Sequence, residues 1–285
     1  MARIIDIPNW VDGARANRRE YRRRQVVEVL IEAIASHDEL KYDILLKGGT
    51  LMALAYGSTR ATTDIDFTAR SHDRGEVDGI AALLDNTFAQ AARKAGYPRL
   101  LCRIQGIKKK PPRNDATFPT YEIRIGSAEV DTNEALRLAM GQAVDVARIE
   151  ISFNEFIGST QELHFKDQKY LLAYSLEDLI AEKIRAYLQQ ELRNRRRRQD
   201  IYDLRFLITG QFFDADIMQR ILGVLLEKCH SRDIRPDRNS FDNEALIERA
   251  RSEYHTIQDE VYGQTLDFES DFAIVSEFYR SLPWG

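Results

Sequence analysis

The sequence predicts an α+β protein, with an α/β amino-terminal part over residues 1–172 and an all-helical part over residues 173–285. Short strand patterns alternate with helical patterns in the first part. From Ser175 onward the apolar residues keep the helical period of about 3.6 residues. Ser175 and Asp178 also have the spacing of a capping box, which predicts that a helix begins there.

The amino-terminal part begins with a helix at residues 18–37, where apolar residues recur at helical spacing. Residues 42–46 are predicted to form a buried strand, and Gly48 and Gly49 precede a short predicted helix at 50–56. Polar and apolar residues alternate over 63–68, which predicts another strand. A helix is predicted at 76–95, and strands at 100–107 and 117–125. The basic stretch 108–115 between these strands is predicted as an exposed loop, because its paired prolines disfavour regular strand pairing.

The amino-terminal part ends with a helix at residues 133–142 and strands at 146–153 and about 163–171. The second part consists of predicted helices at 175–192, 198–208, 216–230, 243–254 and 269–282.

Composition excludes several classes of protein. Hydrophobic residues make up 44% of the 285 residues and charged residues 30%, which is ordinary for a globular protein. No apolar run approaches the roughly 18 residues of a membrane span, and the first residues lack the order of a secretory signal. We therefore expect a cytoplasmic protein with no membrane partner. Cys102 and Cys229 are far apart and are expected to be core thiols.

The net charge of -4 conceals three basic runs. They lie at residues 15–24, at 108–113 and at 193–198, and the last contains Arg195, Arg196, Arg197 and Arg198. Such runs can bind phosphate backbones, although a single run is more often a solvated surface. Together they favour a polyanionic partner such as RNA, and the run ending at Arg198 is our candidate RNA-binding segment.

Two carboxylates on one predicted strand suggest a metal site. Strand alternation places Asp64 and Asp66 on one face, and Ile65 and Phe67 on the other. Adjacent carboxylates repel each other unless a cation lies between them, and Mg²⁺ prefers such oxygen ligands. Gly48 and Gly49, just before a short helix, could supply free backbone amides for phosphate. A solvated strand edge remains the alternative for the Asp-x-Asp pattern alone.

Charged residues also interrupt the apolar faces of two predicted helices. On the helix that begins near Ser175, Lys183 lies within the apolar stripe. Arg185 falls on the opposite side and should tolerate substitution unless it contacts RNA. Asp200 lies on the apolar arc of the following helix, with Asp203 at its edge. A buried ammonium needs an anion. Lys183 therefore either forms a salt bridge with Asp200 or faces a cleft that binds phosphate.

Four ordered motifs resemble those of the AbiEii-type nucleotidyltransferase toxins, which belong to the polymerase-beta-like superfamily. The motifs are Lys47-Gly48-Gly49-Thr50, the segment 60–67 with Thr62, Asp64 and Asp66, the segment 182–186 with Lys183, and the segment 198–204 with Asp200. The resemblance implies a mixed-sheet nucleotidyltransferase domain followed by an all-helical domain, an NTP bound with magnesium or manganese, and an antitoxin encoded nearby.

The resemblance also implies roles for individual residues. Asp64 and Asp66 would bind the metal, and Lys183 and Asp200 would complete the catalytic set. Nucleotide contacts would come from Lys47, Gly48, Gly49, Thr50, Thr62 and Lys183. The superfamily expects a third carboxylate on a later strand, and Glu150 is the candidate, although a solvent-facing charge would give the same pattern.

Related toxins add nucleotides to tRNA 3′ ends, which suggests RNA, and tRNA in particular, as the acceptor. Two alternatives stay open: transfer to a hydroxyl of a protein or small molecule, and nucleotide binding without catalysis.

Overall fold

The computed structural model describes residues 2–73, 77–113, 115–194, 197–261 and 265–285. The strands are β1 Ala2–Ile4, β2 Ile44–Lys47, β3 Asp64–Ala69, β4 Leu100–Lys110, β5 Thr120–Glu129, β6 Asp145–Ser152, β7 Thr160–His164 and β8 Tyr170–Tyr174. The helices are α1 Ile7–Asp12, α2 Arg18–Ala35, α3 Asp38–Asp43, α4 Gly48–Tyr56, α5 Val77–Lys94, α6 Asn133–Ala139, α7 Leu176–Leu188, α8 Arg198–Ile208, α9 Ala215–His230, α10 Glu244–Arg251 and α11 Phe268–Ser281. The predicted α+β class is confirmed, as are the mixed sheet and the helical carboxy-terminal part.

The chain divides into two compact units. The sheet unit comprises residues up to 57, 62–155 and 161–173, and the helical unit comprises residues 58–61, 156–160 and 174–285. Two short segments that precede residue 173 therefore belong to the helical unit. Among the described residues, no helix is long and apolar enough to cross a membrane.

The strands form one eight-stranded sheet in the order β1-β7-β8-β2-β3-β6-β5-β4. Strand β3 lies between antiparallel β2 and parallel β6, and β5 and β4 continue the sheet in antiparallel fashion to its edge. One face of these central strands is apolar. Residues of α2, including Leu30 and Ile34, line a small cavity there together with Phe67, Ile149 and Ile151. The opposite face of the strands carries most of their charged side chains.

Two predictions about the sheet were wrong. Residues 108–110 are not loop, because β4 continues to Lys110 and pairs there with Thr120 of β5. The expected single strand at 163–171 is two strands, β7 and β8, separated by a short 3-10 helix at Lys166–Gln168. Strand β1 and helix α1 were not predicted, since both are short and β1 is ordered by parallel pairing with the distant strand β7.

Candidate active site

Strand β3 has two different faces. Ile65 and Phe67 are fully buried, as expected for the apolar side of the sheet. Asp64 and Asp66 are half-buried on the other face. In the register of the sheet Asp66 lies beside Lys47 of β2, on one side of β3. The alternation predicted from the sequence therefore places both carboxylates on the same polar face.

Helix α4 begins beside these carboxylates, and its first two residues have to be glycine. Gly48 has a φ of +66°, and a Cβ atom there would lie 2.1 Å from Asp66 Oδ2. A Cβ atom at Gly49 would lie 2.8 Å from Thr62 Oγ1. No side chain caps the amino terminus of α4. Backbone amides at such a terminus are a favourable site for phosphate, so the glycines bring a potential anion site next to Asp66.

Three other predicted nucleotide contacts support the backbone around this point. Thr50 Oγ1 and Thr62 Oγ1 both donate to the carbonyl oxygen of Asp64, at 3.5 Å and 3.4 Å. Lys47 is buried and forms an ion pair with Glu155. These contacts fix the strand that carries the carboxylates, and they keep the Lys47 ammonium within the sheet unit.

The environment of Asp64 fits a cation. Its Oδ1 atom is buried and has no hydrogen-bond partner among the described residues. Burial raises the pKa of the Asp64 carboxyl, and the neighbouring Glu150 raises it further, whereas Arg148 opposes the shift. An ionised Asp64 is therefore poorly compensated by the protein. Within the described ranges no three His, Cys, Asp or Glu side chains form a ready-made metal cluster, so the fit depends on Asp64 and Asp66.

Glu150 lies beside Asp66 on the neighbouring strand β6. Its Oε1 atom accepts a hydrogen bond from Lys110 Nζ at 2.7 Å, and Lys110 also forms an ion pair of 2.6 Å with Glu122. Those two carboxylates raise the pKa of Lys110. Lys110 is thus part of the polar sheet face and not of an exposed loop. Glu150 lies near the metal carboxylates but is paired with a lysine, and its role as a third ligand stays a prediction.

In the helical unit Lys183 is buried, as its place in the apolar stripe predicted. It is 6% exposed, and its Nζ atom lies 2.6 Å from Asp203 Oδ2 and 3.7 Å from Asp200 Oδ1. Both aspartates are fully buried. The salt-bridge interpretation named Asp200 as the partner, but Asp203 is the closer one. It was missed because the helical wheel put Asp203 at the edge of the apolar arc.

Asp203 has a second partner that the sequence did not reveal. Arg60 donates to both of its carboxylate oxygens, from Nε at 2.8 Å and from Nη2 at 3.0 Å. Burial alone would raise the pKa of Asp203, but Lys183 and Arg60 outweigh it and hold the pKa below its ordinary value. The spacing of Asp203, three residues after Asp200 on one helix face, is the signal that could have identified it.

Arg185 was expected to be a silent position on the opposite side of α7. It is in fact buried, with Nη1 donating to Gln189 Oε1 at 2.7 Å and Nη2 paired with Glu182. The wheel gave its direction relative to Lys183 but could not show that other elements cover that side of the helix. Substitution of Arg185 would therefore disturb packing.

The predicted RNA-binding run is only partly described. Arg195 and Arg196 lie outside the described residues. Arg197 Nε donates to Asp200 Oδ2 at 2.8 Å, and Arg198 pairs with Glu260. The two described arginines thus help to neutralise carboxylates within the helical unit.

Two strand aspartates beside a glycine-initiated helix suit nucleotidyl transfer, and the chain is of the nucleotidyltransferase class. The family model described as "Nucleotidyl transferase AbiEii toxin, Type IV TA system" matches residues 29–275. The chain belongs to this family and is a nucleotidyltransferase toxin of a type IV toxin–antitoxin system. Membership implies a cognate antitoxin.

A solved structure shares the fold. JHP933 from Helicobacter pylori is 16% identical, with a TM-score of 0.50 over 91% of this chain and 90% of that chain. MenT4, a nucleotidyltransferase toxin from Mycobacterium tuberculosis, is 14% identical, with a TM-score of 0.49 over 97% of this chain and 99% of that chain. No curated protein matches the sequence.

Proposed function

We propose that this toxin acts in the cytoplasm and transfers a nucleoside monophosphate from an NTP to a hydroxyl of RNA, with the tRNA 3′ end as acceptor. The observation that carries the proposal is a buried oxygen of Asp64 that has no hydrogen-bond partner among the described residues. It lies on the same sheet face as Asp66, which adjoins the amino terminus of α4. A carboxylate pair suits a divalent cation, and helix amides suit a triphosphate.

The bonds made and broken follow from this assignment. The acceptor oxygen forms a bond to the α-phosphorus of the NTP, the bond from that phosphorus to the pyrophosphate oxygen breaks, and the hydroxyl proton passes to water. Asp64 and Asp66 would hold Mg²⁺, or Mn²⁺ as an alternative. The bound metal would neutralise charge that develops on the phosphate oxygens.

The remaining site residues have supporting roles in the proposal. Gly48 and Gly49 present amides to the phosphates, and Thr50 and Thr62 hold the backbone of Asp64 in place. Lys47 fixes β2 through Glu155. From the family resemblance we assign a phosphate contact to Lys183 and the role of a second active-site acid to Asp200; Glu150 remains the candidate third carboxylate.

Label transfer tests the proposal. The full-length protein is incubated with each α-labelled NTP, total cellular RNA and protein extract, with Mg²⁺, Mn²⁺ or a chelator. Label on RNA 3′ ends that requires metal and disappears in Asp66→Asn supports it. Label on protein or on a small molecule would identify another acceptor, and NTP binding with no label on any of them would indicate binding without catalysis. Expression of Asp66→Asn should also fail to arrest growth.

A second experiment tests the role of the arginine run in RNA binding. Arg195→Gln/Arg196→Gln should weaken association with tRNA and flatten its salt dependence, because each lost phosphate contact removes part of the counterion release. Arg197→Gln/Arg198→Gln is the comparison, and it should lower the melting temperature because these side chains pair with Asp200 and Glu260. An unchanged salt slope in the first pair would make the run an ordinary solvated surface.

The antitoxin gene is expected beside the toxin gene, which inspection of the neighbouring reading frames would show.

A further inference from the structure

Two arginines extend from Asp64 across the polar face of the sheet. In the parallel register of β3 and β6, Asp64 lies beside Arg148, and in the antiparallel register of β6 and β5, Arg148 lies beside Arg124. Neighbouring strands are about 4.8 Å apart, so the three side chains form one row perpendicular to the strands. Both arginines are exposed. The row therefore places two accessible cations next to a proposed metal carboxylate.

Among the described residues neither guanidinium group is in close contact with a carboxylate, although Arg148 favours the ionised forms of Asp64 and Glu122 at longer range. Within the part of the chain that the structure describes, Arg124 and Arg148 have no hydrogen-bond or ion-pair partner. Lys110 on the same face of β4 differs from these arginines, because it forms ion pairs with both Glu122 and Glu150. Like charges directly opposite each other on neighbouring strands are destabilising. Repulsion between the adjacent guanidinium groups of Arg124 and Arg148 should therefore destabilise this part of the sheet, and a bound anion would relieve it.

The next strand leaves room for this row to reach the sheet edge. Gly106 of β4 pairs with Arg124, at a register irregularity after Ile104. A Cβ atom at Gly106 would lie 2.9 Å from Arg124 Nη2. The guanidinium of Arg124 therefore extends over the edge strand, in space that any larger residue would partly fill. Lys108 follows on the same face of β4, opposite Glu122. It is exposed and forms no hydrogen bond or close ion pair among the described residues.

The row lies on the opposite side of the aspartates from the glycine-initiated helix. Gly48 and Gly49 follow β2, which pairs with β3 on one side, whereas Arg148 and Arg124 belong to β6 and β5 on the other. A donor triphosphate on the helix amides would leave the arginine side for a second phosphate-bearing molecule. Transfer chemistry needs such a second molecule, the acceptor.

We propose that Arg148 and Arg124 bind the phosphodiester backbone of the acceptor RNA, leading its 3′ hydroxyl to the carboxylates; this inference rests on the proposed function. Arginine is well suited to phosphate because its planar group donates two parallel hydrogen bonds. Two such groups in a row match a chain of successive phosphates. A lone hydroxyl on a protein or small molecule would not require them.

Direct RNA binding tests this inference without turnover. Arg124→Gln/Arg148→Gln in the full-length protein is compared with Arg18→Gln/Arg19→Gln, which removes two exposed arginines of α2 that also lack partners among the described residues. Both variants lose the same charge from the sheet unit. The probes are a fluorescent single-stranded oligoribonucleotide and total tRNA, titrated without NTP at several salt concentrations, and MgNTP titrated separately.

The β-strand pair should bind RNA more weakly and lose about 1.4 from the slope of log affinity against log salt, at roughly 0.7 per phosphate contact. The α2 pair should keep the wild-type slope, and both should keep wild-type NTP affinity. An unchanged slope in the strand pair, an equal loss in both pairs, or a loss confined to NTP affinity would overturn the inference. A slope loss in the strand pair alone supports it even where no label is transferred, in which case only the proposed function fails.

Discussion

Substitution of Lys183 by methionine separates a structural lysine from one that binds nucleotide. Methionine keeps the apolar stem of the side chain but removes the ammonium group that lies 2.6 Å from Asp203 and 3.7 Å from Asp200. Both carboxylates are fully buried, so their charge cannot be solvated instead. The variant should therefore be less stable than the wild type.

The size of the loss follows from what remains. Breaking a buried ion pair costs about 3–5 kcal/mol when the partner charge stays buried. Arg60 still donates two hydrogen bonds to Asp203, and Arg197 still donates to Asp200, so the lower end applies. At about 2–4 °C per kcal/mol for a chain of this size class, a loss of about 3 kcal/mol lowers the melting temperature by about 6–12 °C.

Lys228→Met is the matched control. Lys228 is also a buried lysine of the helical unit, 2% exposed, with its Nζ atom 2.7 Å from Asp178 and 2.8 Å from the carbonyl oxygen of Phe156. It belongs to none of the four family motifs. Its loss should cost a similar amount of stability, because among the described residues Asp178 would keep only its bonds from the Gly158 and Ser159 amides.

The two variants should differ in nucleotide affinity. If Lys183 contacts the NTP phosphates, Lys183→Met loses about 1.5–3 kcal/mol of binding, or roughly 10- to 150-fold in Kd, while Lys228→Met binds as the wild type does. Affinity is measured by calorimetry below both melting temperatures, and stability by urea unfolding.

Two results would refute this reasoning. Equal NTP affinity in the two variants would make Lys183 purely structural. A wild-type melting temperature in Lys183→Met, with no coupling to Asp203→Asn in a double-mutant cycle, would show that the ion pair does not stabilise the fold.

Three further predictions concern the two units separately. Asp64→Asn should abolish transfer without lowering the melting temperature, because its buried oxygen has no hydrogen-bond partner to lose among the described residues; a fully active variant would exclude it as a metal ligand. Gly48→Ala should lower turnover strongly, because the new Cβ atom would displace Asp66. Gly57 also has a positive φ, but a Cβ atom there would meet nothing within 4 Å, so Gly57→Ala should stay active. Equal kinetics in the two variants would show that the site does not require glycine at position 48. The lowered pKa of Asp203 stabilises the folded state fully above the unfolded-state pKa of about 3.9, and this stabilisation is lost as the pH falls below that value. In urea unfolding, the difference in stability between the wild type and Asp203→Asn should be constant between about pH 5 and 7 and shrink below about pH 4. A difference that grows on acidification would contradict the lowered pKa.

What the sequence could predict of the site depended on local periodicity. The alternation of β3 places Asp64 and Asp66 on one face whatever the rest of the chain does. The wheel of α7 likewise predicts the burial of Lys183, because a residue between apolar neighbours on a helix faces the same core. Both features need only the residues next to them in the chain.

The partners of these residues could not be predicted in the same way. Arg60 reaches Asp203 across 143 positions of sequence, and Lys110 reaches Glu150 across 40. Nothing local distinguishes an arginine or lysine that will meet a buried carboxylate from one that will remain in solvent. The error over residues 108–110 has this origin, since a lysine run before prolines looks like a loop until Glu122 and Glu150 are known to lie beside it.

The same limit changes how a nucleic-acid surface should be sought in this protein. Each of the three basic runs contributes side chains to ion pairs: Arg22 binds Glu129, Lys109 binds Asp73, and Arg198 binds Glu260. A cation already paired with a carboxylate releases few counterions on binding RNA. The number of basic residues in the sequence therefore overstates the surface that is available to phosphate. Arg124 and Arg148 form no close ion pair among the described residues, and each is a single basic residue between apolar neighbours in the sequence. They become a phosphate-binding row only when β5 and β6 pair, and for that reason they are the stronger candidates for the path of the acceptor.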